Sequence, residues 1–332
     1  MNLLFVLIGT GGHIIPLLPL ISGLKHEGIG VRTVTRLVGV ERHLVANPDL
    51  VVNLASFSGK PLMIKIRSLV TILITTIRIT TFIRKHNIKG VVASGAFGSV
   101  PAILAAIYLR IPFFLIELNR IPGRVVRLTS RRAKAIFVAV PLDVELKGKV
   151  IVTGVPLRSG FLDLKREGGY VLVMGGSQGA TFLNQLALHL DGKVDRDILL
   201  ICGDRDYEWV RRQARDVEVI SFTDRPWDYL AGADLVIARA GGLSTYELAY
   251  CRVPMILIPF PYATDQHQLA NGQYYAEQNA AIIVKQGDPE DIASQIVKII
   301  REGSYRSLAM RTPLGDGRER IIKEVKRLCS VR

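Results

Sequence analysis

Short apolar runs of strand length alternate with stretches long enough for a helix along the whole of this chain, and several of the runs stop at glycine. In the first half the runs are 3–8, 31–35, 51–54, 91–94, 113–116 and 135–138; in the second they are 170–174, 198–202, 217–221, 235–238, 255–258 and 281–284. Near-continuous apolarity marks strands covered on both faces, and parallel strands need helix-length crossovers between them. The pattern predicts an α/β protein in which each half is a doubly wound sheet. At 332 residues the chain is long for one core and suits two domains. The join is placed in Thr153-Gly154-Val155-Pro156, which gives a first domain over 1–153 and a second over 154–312. Ile321, Ile322, Val325 and Leu328 recur at helical spacing in the last segment, 313–332, which is expected to fold back on the first domain.

Composition narrows the class. With 49% hydrophobic and 22% charged residues the chain is globular and not disordered. Cys202, Cys251 and Cys329 are odd in number and far apart, which argues for free thiols and against a disulfide framework or zinc site. The apolar start, 2–8, lacks a basic flank and runs into a glycine loop, so it does not read as a secretory signal. The run 68–77 is ten residues between Arg67 and Arg78, half of the roughly 20 that a membrane span requires. The charge is uneven: residues 1–152 hold 20 Lys+Arg against 6 Asp+Glu, and the remainder balances at 23 against 23. A basic first half calls for an anionic partner, whether nucleic acid, an anionic membrane surface or a phosphorylated substrate.

Within that half, 60–89 mixes many aliphatic residues with Lys65, Arg67, Arg78, Arg84 and Lys85. It reads either as a pair of core helices with solvated basic ends or as an apolar patch with a basic rim that lies on anionic lipid.

The glycine-bearing loops carry the chemistry. Gly9-Thr10-Gly11-Gly12-His13 follows the first strand and lets backbone N–H groups approach an anion. It is not the dinucleotide fingerprint, because Ile14 stands where the third glycine belongs. His13 is a general-base candidate or an ordinary residue of a helix start. Ser94-Gly95-Ala96-Phe97-Gly98-Ser99-Val100-Pro101 repeats the arrangement after the run 91–94, and Glu117-Leu118-Asn119 follows the next run, 113–116. In the second half, Gly175-Gly176-Ser177-Gln178-Gly179 has the form of a nucleophile elbow, but Asp265 and His267 lie too close together to complete a triad; phosphate binding fits better. Ser244 and Glu247 match a capping box at the start of a helix. The Asp-Arg-Asp triplets at 195–197 and 204–206 read as solvated turns and not as metal ligands.

Taken together, GTGGHIIP (9–16), SGAFGSVP (94–101), ELNRIPG (117–123), GVPLR (154–158), GGSQGATFLN (175–184), RAGGLSTYE (239–247) and DQHQLAN (265–271) resemble the MurG family of glycosyltransferases over nearly the full length. The resemblance implies the GT-B fold, two Rossmann-like domains facing across a cleft. It implies inverting transfer of N-acetylglucosamine from UDP-GlcNAc to the C4 hydroxyl of MurNAc in undecaprenyl-pyrophosphoryl-MurNAc-pentapeptide, during peptidoglycan synthesis. Thr10, Gly11, Gly12, His13 and Asn119 would then face sugar and acceptor, with His13 the base and Glu117 the second candidate. Arg158, Ser177, Gln178 and Ser244 would meet the diphosphate, and backbone at Phe222 and Thr223 the uracil. Glu247 would hold the ribose hydroxyls, and His267, Gln268 and Asn271 the donor sugar and diphosphate. No metal cofactor is implied, no nucleic acid is expected as a partner, and the enzyme would sit peripherally on the cytoplasmic face of the membrane. The chain departs from the family pattern at Ile116, Leu118 and Phe97, all on the acceptor side. The other readings are a different GT-B transferase, a UDP-sugar epimerase and a non-enzymatic nucleic-acid binder.

Overall fold

A computed structural model describes residues 1–54, 62–165, 167–176, 179–308 and 315–330, with backbone alone for 62–67 and 330. The chain divides into two compact units: 1–118, 122–156 and 316–332 form the first, and 119–121 with 157–315 the second.

The first unit is built on β1 (Asn2–Val6), β2 (Gly30–Thr35), β3 (Leu50–Val51), β4 (Ile88–Ser94), β5 (Phe113–Glu117), β6 (Ala135–Val138) and β7 (Val150–Val152). They pair in the order β3-β2-β1-β4-β5-β6-β7, and every pairing is parallel. The second unit holds β8 (Tyr170–Met174), β9 (Asp197–Ile201), β10 (Val217–Ile220), β11 (Ala233–Ala238), β12 (Met255–Leu257) and β13 (Ala281–Ile283). Its order is β10-β9-β8-β11-β12-β13, again parallel throughout. The central strands are buried on both faces, as their unbroken apolarity demands: Leu3, Leu4, Val6, Val91 and Val92 in one sheet and Leu172, Val173, Leu235 and Val236 in the other are at most 0% exposed.

These orders decide where function can reside. In each sheet the winding reverses direction beside the first strand, between β1 and β4 and between β8 and β11. Chain leaving the carboxyl ends of strands that flank such a switch point diverges and leaves a crevice. In the first unit the glycine loops after β1 and β4 border that unit's crevice, and in the second unit those after β8 and β11 border its own.

Three expectations change. The stretch 60–89 contains, among its described residues, one 24-residue helix, Leu62–Lys85, and not a pair. Residues 150–152, just before the join and not among the expected strands, form the seventh strand, an edge strand with Val150 and Val152 partly exposed. The strand expected at 51–54 ends at Val51. The terminal helix Arg318–Ser330 lies in the first unit against the helix Leu17–His26, with Ile321, Ile322, Val325 and Leu328 buried. Residues 313, 314, 331 and 332 of that segment lie outside the described residues.

Candidate active site

In the first unit the chain leaves β1 through buried Leu7 and Ile8 and turns at Gly9, whose φ of +137° favours glycine. Thr10 caps the short helix Gly11–Ile14. The Thr10 hydroxyl lies 3.0 Å from His13 Nδ1, and the His13 amide donates to the Thr10 carbonyl at 2.9 Å. Gly11 is buried, and Gly12 and His13 are half-buried. A Cβ at Gly98 would come within 2.0 Å of Ile8 Cγ2, so the loop after β4 rests directly on the one after β1. Phe97, in that loop, remains 38% exposed.

Glu117 ends β5 with its carboxylate buried at 5% exposure. Oε2 accepts from the Gly123 amide at 2.8 Å, and Gly123 caps the helix Arg124–Thr129. A Cβ at Gly95 would stand 3.2 Å from the same oxygen. Glu117 therefore ties the end of β5 to the start of the following helix and lies against the Gly95 backbone.

In the second unit Arg158 sits between aromatic rings, 5.0 Å from the Trp227 centroid and 5.3 Å from that of Phe161. It donates to the Asp224 carbonyl at 2.8 Å and to Glu247 Oε1 at 3.1 Å. Its Nε is buried with no partner among the described residues. Glu247 is 6% exposed; burial pushes its carboxyl up from 4.5 to about 7, against the pull of Arg158. The capping-box expectation is corrected here. The helix begins at Gly242 with Gly241 as its cap and no side-chain cap bond, so Ser244 lies inside the first turn and the Glu247 carboxylate turns to Arg158. The glycines before Ser244 adopt the helix start without a hydroxyl, which moves the cap three residues upstream.

Asn271 is 2% exposed. Its Nδ2 donates to the Ala240 carbonyl at 3.0 Å and to Asn119 Oδ1 at 3.1 Å, and its Oδ1 accepts from the Arg120 amide at 2.9 Å. Asn119 and Arg120 belong to the second unit although their flanking residues do not. Gln268 Oε1 accepts from the Phe260 amide at 2.9 Å, and His267 Nδ1 is 2.8 Å from the Thr264 carbonyl. Thr223 Oγ1 accepts from the Arg225 amide, and Phe222 beside it is 40% exposed. Ser177 and Gln178 lie outside the described residues. Beside them Gly176 and Gly179 have φ of +81° and +69°. The structure thus brings together Thr10 with His13, Arg158 with Glu247, and Asn119 with Asn271.

The sequence reading named no role for Phe161, Trp227 or Arg239. Arg239 leaves β11 between the rings of Phe182 and Phe260, at 5.2 and 5.5 Å, and donates to the Ile258 carbonyl. Burial lowers its guanidinium to about 10. Its place as first residue of the glycine turn was the available signal; the stacked rings come from distant segments. The thiols of Cys202 and Cys329 are pushed up to about 11 by burial, which argues against a nucleophilic role at neutral pH. Among the described residues no cluster of three or more His, Cys, Asp or Glu could hold a metal ion.

Gly160 supplies a test of the arginine cage. A Cβ there would lie 2.3 Å from Trp227 Cε2, so Gly160→Ala must displace the indole that covers Arg158. We expect a stability loss of about 1–3 kcal/mol in chemical denaturation, together with altered tryptophan fluorescence.

Comparison with known proteins places these loops in context. The glycosyltransferase family 28 N-terminal domain matches residues 3–138, and the glycosyltransferase family 28 C-terminal domain matches residues 170–325. A UDP-N-acetylglucosamine--N-acetylmuramyl-(pentapeptide) pyrophosphoryl-undecaprenol N-acetylglucosamine transferase from Synechococcus sp. (strain CC9605) is 33% identical, covering 96% of this chain and 93% of its own. The protein of the same name from Synechococcus sp. (strain CC9902) is 36% identical over 87% of this chain and 84% of its own. The crystal structure of Acinetobacter baumannii MurG superposes with a TM-score of 0.77 at 24% identity, covering 98% of this chain and 99% of that one; at that identity the likeness speaks to the fold, two Rossmann-like domains.

Proposed function

The chain belongs to glycosyltransferase family 28, and on that premise we propose that it transfers N-acetylglucosamine from UDP-GlcNAc to the C4 hydroxyl of MurNAc in undecaprenyl-pyrophosphoryl-MurNAc-pentapeptide, a step of peptidoglycan synthesis. The observation that carries this reading is the match of both family domains, in order, to relatives that bear this activity in their names over almost their whole length. The alternatives of a different transferase, an epimerase or a nucleic-acid binder have no comparable support.

The chemistry is a single displacement. The acceptor C4 oxygen attacks the anomeric carbon, the bond from that carbon to the diphosphate oxygen breaks, the C4 proton passes to a base, and UDP leaves with inverted configuration at the sugar. Thr10 Oγ1 lies 3.0 Å from His13 Nδ1; in the tautomer that donates Nδ1–H to this hydroxyl, His13 Nε2 is the basic nitrogen that takes the proton. Glu117 is the weaker candidate, since one of its oxygens already accepts from Gly123. Arg158 meets the negative charge that grows on the departing diphosphate, where a preoriented cation stabilises the transition state more than the ground state. Glu247 accepts from the ribose hydroxyls; Gln268, His267, Asn271 and Asn119 hold the donor sugar. The acceptor-dependent release of UDP from UDP-GlcNAc tests the assignment. A β-1,4-linked disaccharide on the lipid is the expected product, and turnover of UDP-GlcNAc without acceptor would point instead to an epimerase.

A lipid-linked substrate requires the enzyme to work at a membrane surface. Among the described residues no helix is long and apolar enough to cross a membrane. The helix Leu62–Lys85 has a buried side, with Thr75, Ile79 and Ile83 at most 3% exposed, and an apolar outer side. Leu69, Val70, Leu73, Ile74 and Ile77 are 50–62% exposed on that outer side, spaced as one helical face. The adjoining helix Val100–Leu109 adds Leu104 and Tyr108, and Arg84 lies over the Tyr108 ring at 5.8 Å. Such a face suits peripheral insertion at an anionic leaflet, each nearby Lys or Arg contributing about 1 kcal/mol. Vesicles containing anionic lipid are expected to bind the protein, less so as salt rises, and Leu73→Asp with Ile77→Asp should weaken binding at least about tenfold. Salt-independent binding of equal strength to neutral vesicles would overturn this assignment.

A further inference from the structure

Glu41, near the start of the short helix Val40–Leu44, is a carboxylate with 0% exposure to which the sequence motifs assign no role. Its Oε1 accepts from the Gly9 amide at 3.0 Å and from Arg36 Nε and Nη2 at 3.0 and 2.6 Å. Its Oε2 accepts from the Arg36 amide at 2.9 Å and the Thr35 hydroxyl at 3.2 Å. A buried charge is tolerated only when paired and fully hydrogen-bonded, and these five donors meet that condition. The arrangement does more than neutralise a charge. Thr35 and Arg36 lie where β2 ends and Gly9 lies just after β1, so the carboxylate ties together two adjacent strand exits at the edge of the sheet where ligands bind.

Gly9 is the residue that aims His13. A Cβ on Gly9 would stand 3.0 Å from His13 Cβ and 3.1 Å from Nδ1, so the imidazole lies directly against this backbone unit. In many glycine loops the N–H groups turn toward the bound anion. Here the Gly9 N–H is turned inward and anchored to Glu41. Rotation of that peptide would carry Thr10 and the imidazole with it.

We infer that Glu41 is a positioning residue for transfer, holding the Gly9 peptide so that His13 meets the acceptor hydroxyl. This rests on the reading of His13 as the base, and it adds a residue that touches neither substrate. Holding a reacting group in place carries a large share of a rate, and a displacement of about 1 Å can cost about 100-fold.

The test uses the full-length protein with Glu41→Gln, Glu41→Asp, Glu41→Ala, His13→Ala and the double variant Glu41→Ala/His13→Ala. Circular dichroism melts establish that each is folded at the assay temperature, and calorimetry measures UDP-GlcNAc affinity. Glutamine keeps an acceptor at the Gly9 amide but loses the charge; aspartate keeps the charge but is one methylene too short. Positioning therefore predicts that kcat follows the order Gln above Asp and Ala, with Asp and Ala down about 10–100-fold. UDP-GlcNAc affinity should stay within about twofold, and Glu41→Ala should cost nothing further in the His13→Ala background. A purely structural ion pair with Arg36 predicts the reverse order, Asp above Gln, in melting temperature and kcat together; that result would overturn the inference, as would additive losses in the double variant. His13→Ala with wild-type kcat would sink the base reading and with it the inference, whereas a slow His13→Ala beside the reversed order of the Glu41 variants would sink the inference alone.

Discussion

His13→Ala is expected to lower kcat for GlcNAc transfer by about 10²–10⁴-fold while leaving UDP-GlcNAc affinity close to that of the wild type. The expectation follows from the residue's place. His13 lies in the loop after β1, half-buried, with its Nδ1 at hydrogen-bond distance from the Thr10 hydroxyl. That contact restrains the ring plane, which is part of the work a second residue usually does for a catalytic imidazole. The residues proposed to bind the donor, Arg158, Glu247, Gln268 and Asn271, all belong to the other unit, so truncating the imidazole removes no group proposed for the nucleotide. Single-turnover kinetics with a short-chain lipid acceptor, run beside calorimetric titration with UDP-GlcNAc, would separate chemistry from binding. A variant within threefold of the wild-type rate would exclude His13 as the base and shift attention to Glu117. Thr10→Val should produce a smaller loss in the same direction, since it frees the ring without removing it.

The second large effect is expected at Glu247. Glu247→Gln should weaken UDP-GlcNAc binding by about 10–100-fold, the loss of charge-assisted bonds worth about 1.5–3 kcal/mol. The carboxyl is raised from 4.5 to about 7 chiefly by burial. Ribose hydroxyls donate best to the ionised form, so donor affinity should improve as pH rises through about 7 in the wild type. In Glu247→Gln that dependence should vanish. Stability should run the other way. Between 4.5 and about 7 the folded protein holds a proton that the unfolded chain has lost, so the contribution of this group is greatest below the unfolded value and declines as pH rises through the folded one. Denaturation at several pH values across that window, wild type against Glu247→Gln, checks the sign. An unchanged pH dependence of both affinity and stability in the variant would assign the titration elsewhere.

Much of this site was legible from local patterns. The glycine clusters after apolar runs marked the loops after β1, β4, β8 and β11, because a glycine there is a local requirement of the backbone. The partnerships were not legible. Arg158 and Glu247 are 89 residues apart, and Asn119 and Asn271 are 152 apart; neither pairing leaves a trace in spacing. Ser244 and Glu247 fitted a capping box by their separation, yet the glycines just before them supplied the cap and released the carboxylate to Arg158. Trp227 and Arg239 likewise gain their roles only from the rings and guanidinium that the fold stacks beside them.

The helix Leu62–Lys85 shows the same boundary from the side of packing. Aliphatic residues lie all around it, so periodicity could not say which stripe faces inward. Contact with the sheet and with the helix Val100–Leu109 selected Ile79 and Ile83 for the core and left Leu73 and Ile77 outside. Strand β7 escaped notice because three residues with alternating exposure at a sheet edge carry too few apolar contacts to signal.

What the sequence determined by itself is what short-range sterics and apolar periodicity control: two parallel α/β sheets, the strands that build them, and the glycine turns at their carboxyl ends. Tertiary structure alone decided which side chains meet. It buried Glu41 behind Gly9 and Glu247 beside Arg158, because the cost of an unpaired buried charge is settled by whatever donor the fold brings within about 3 Å, however distant in the chain.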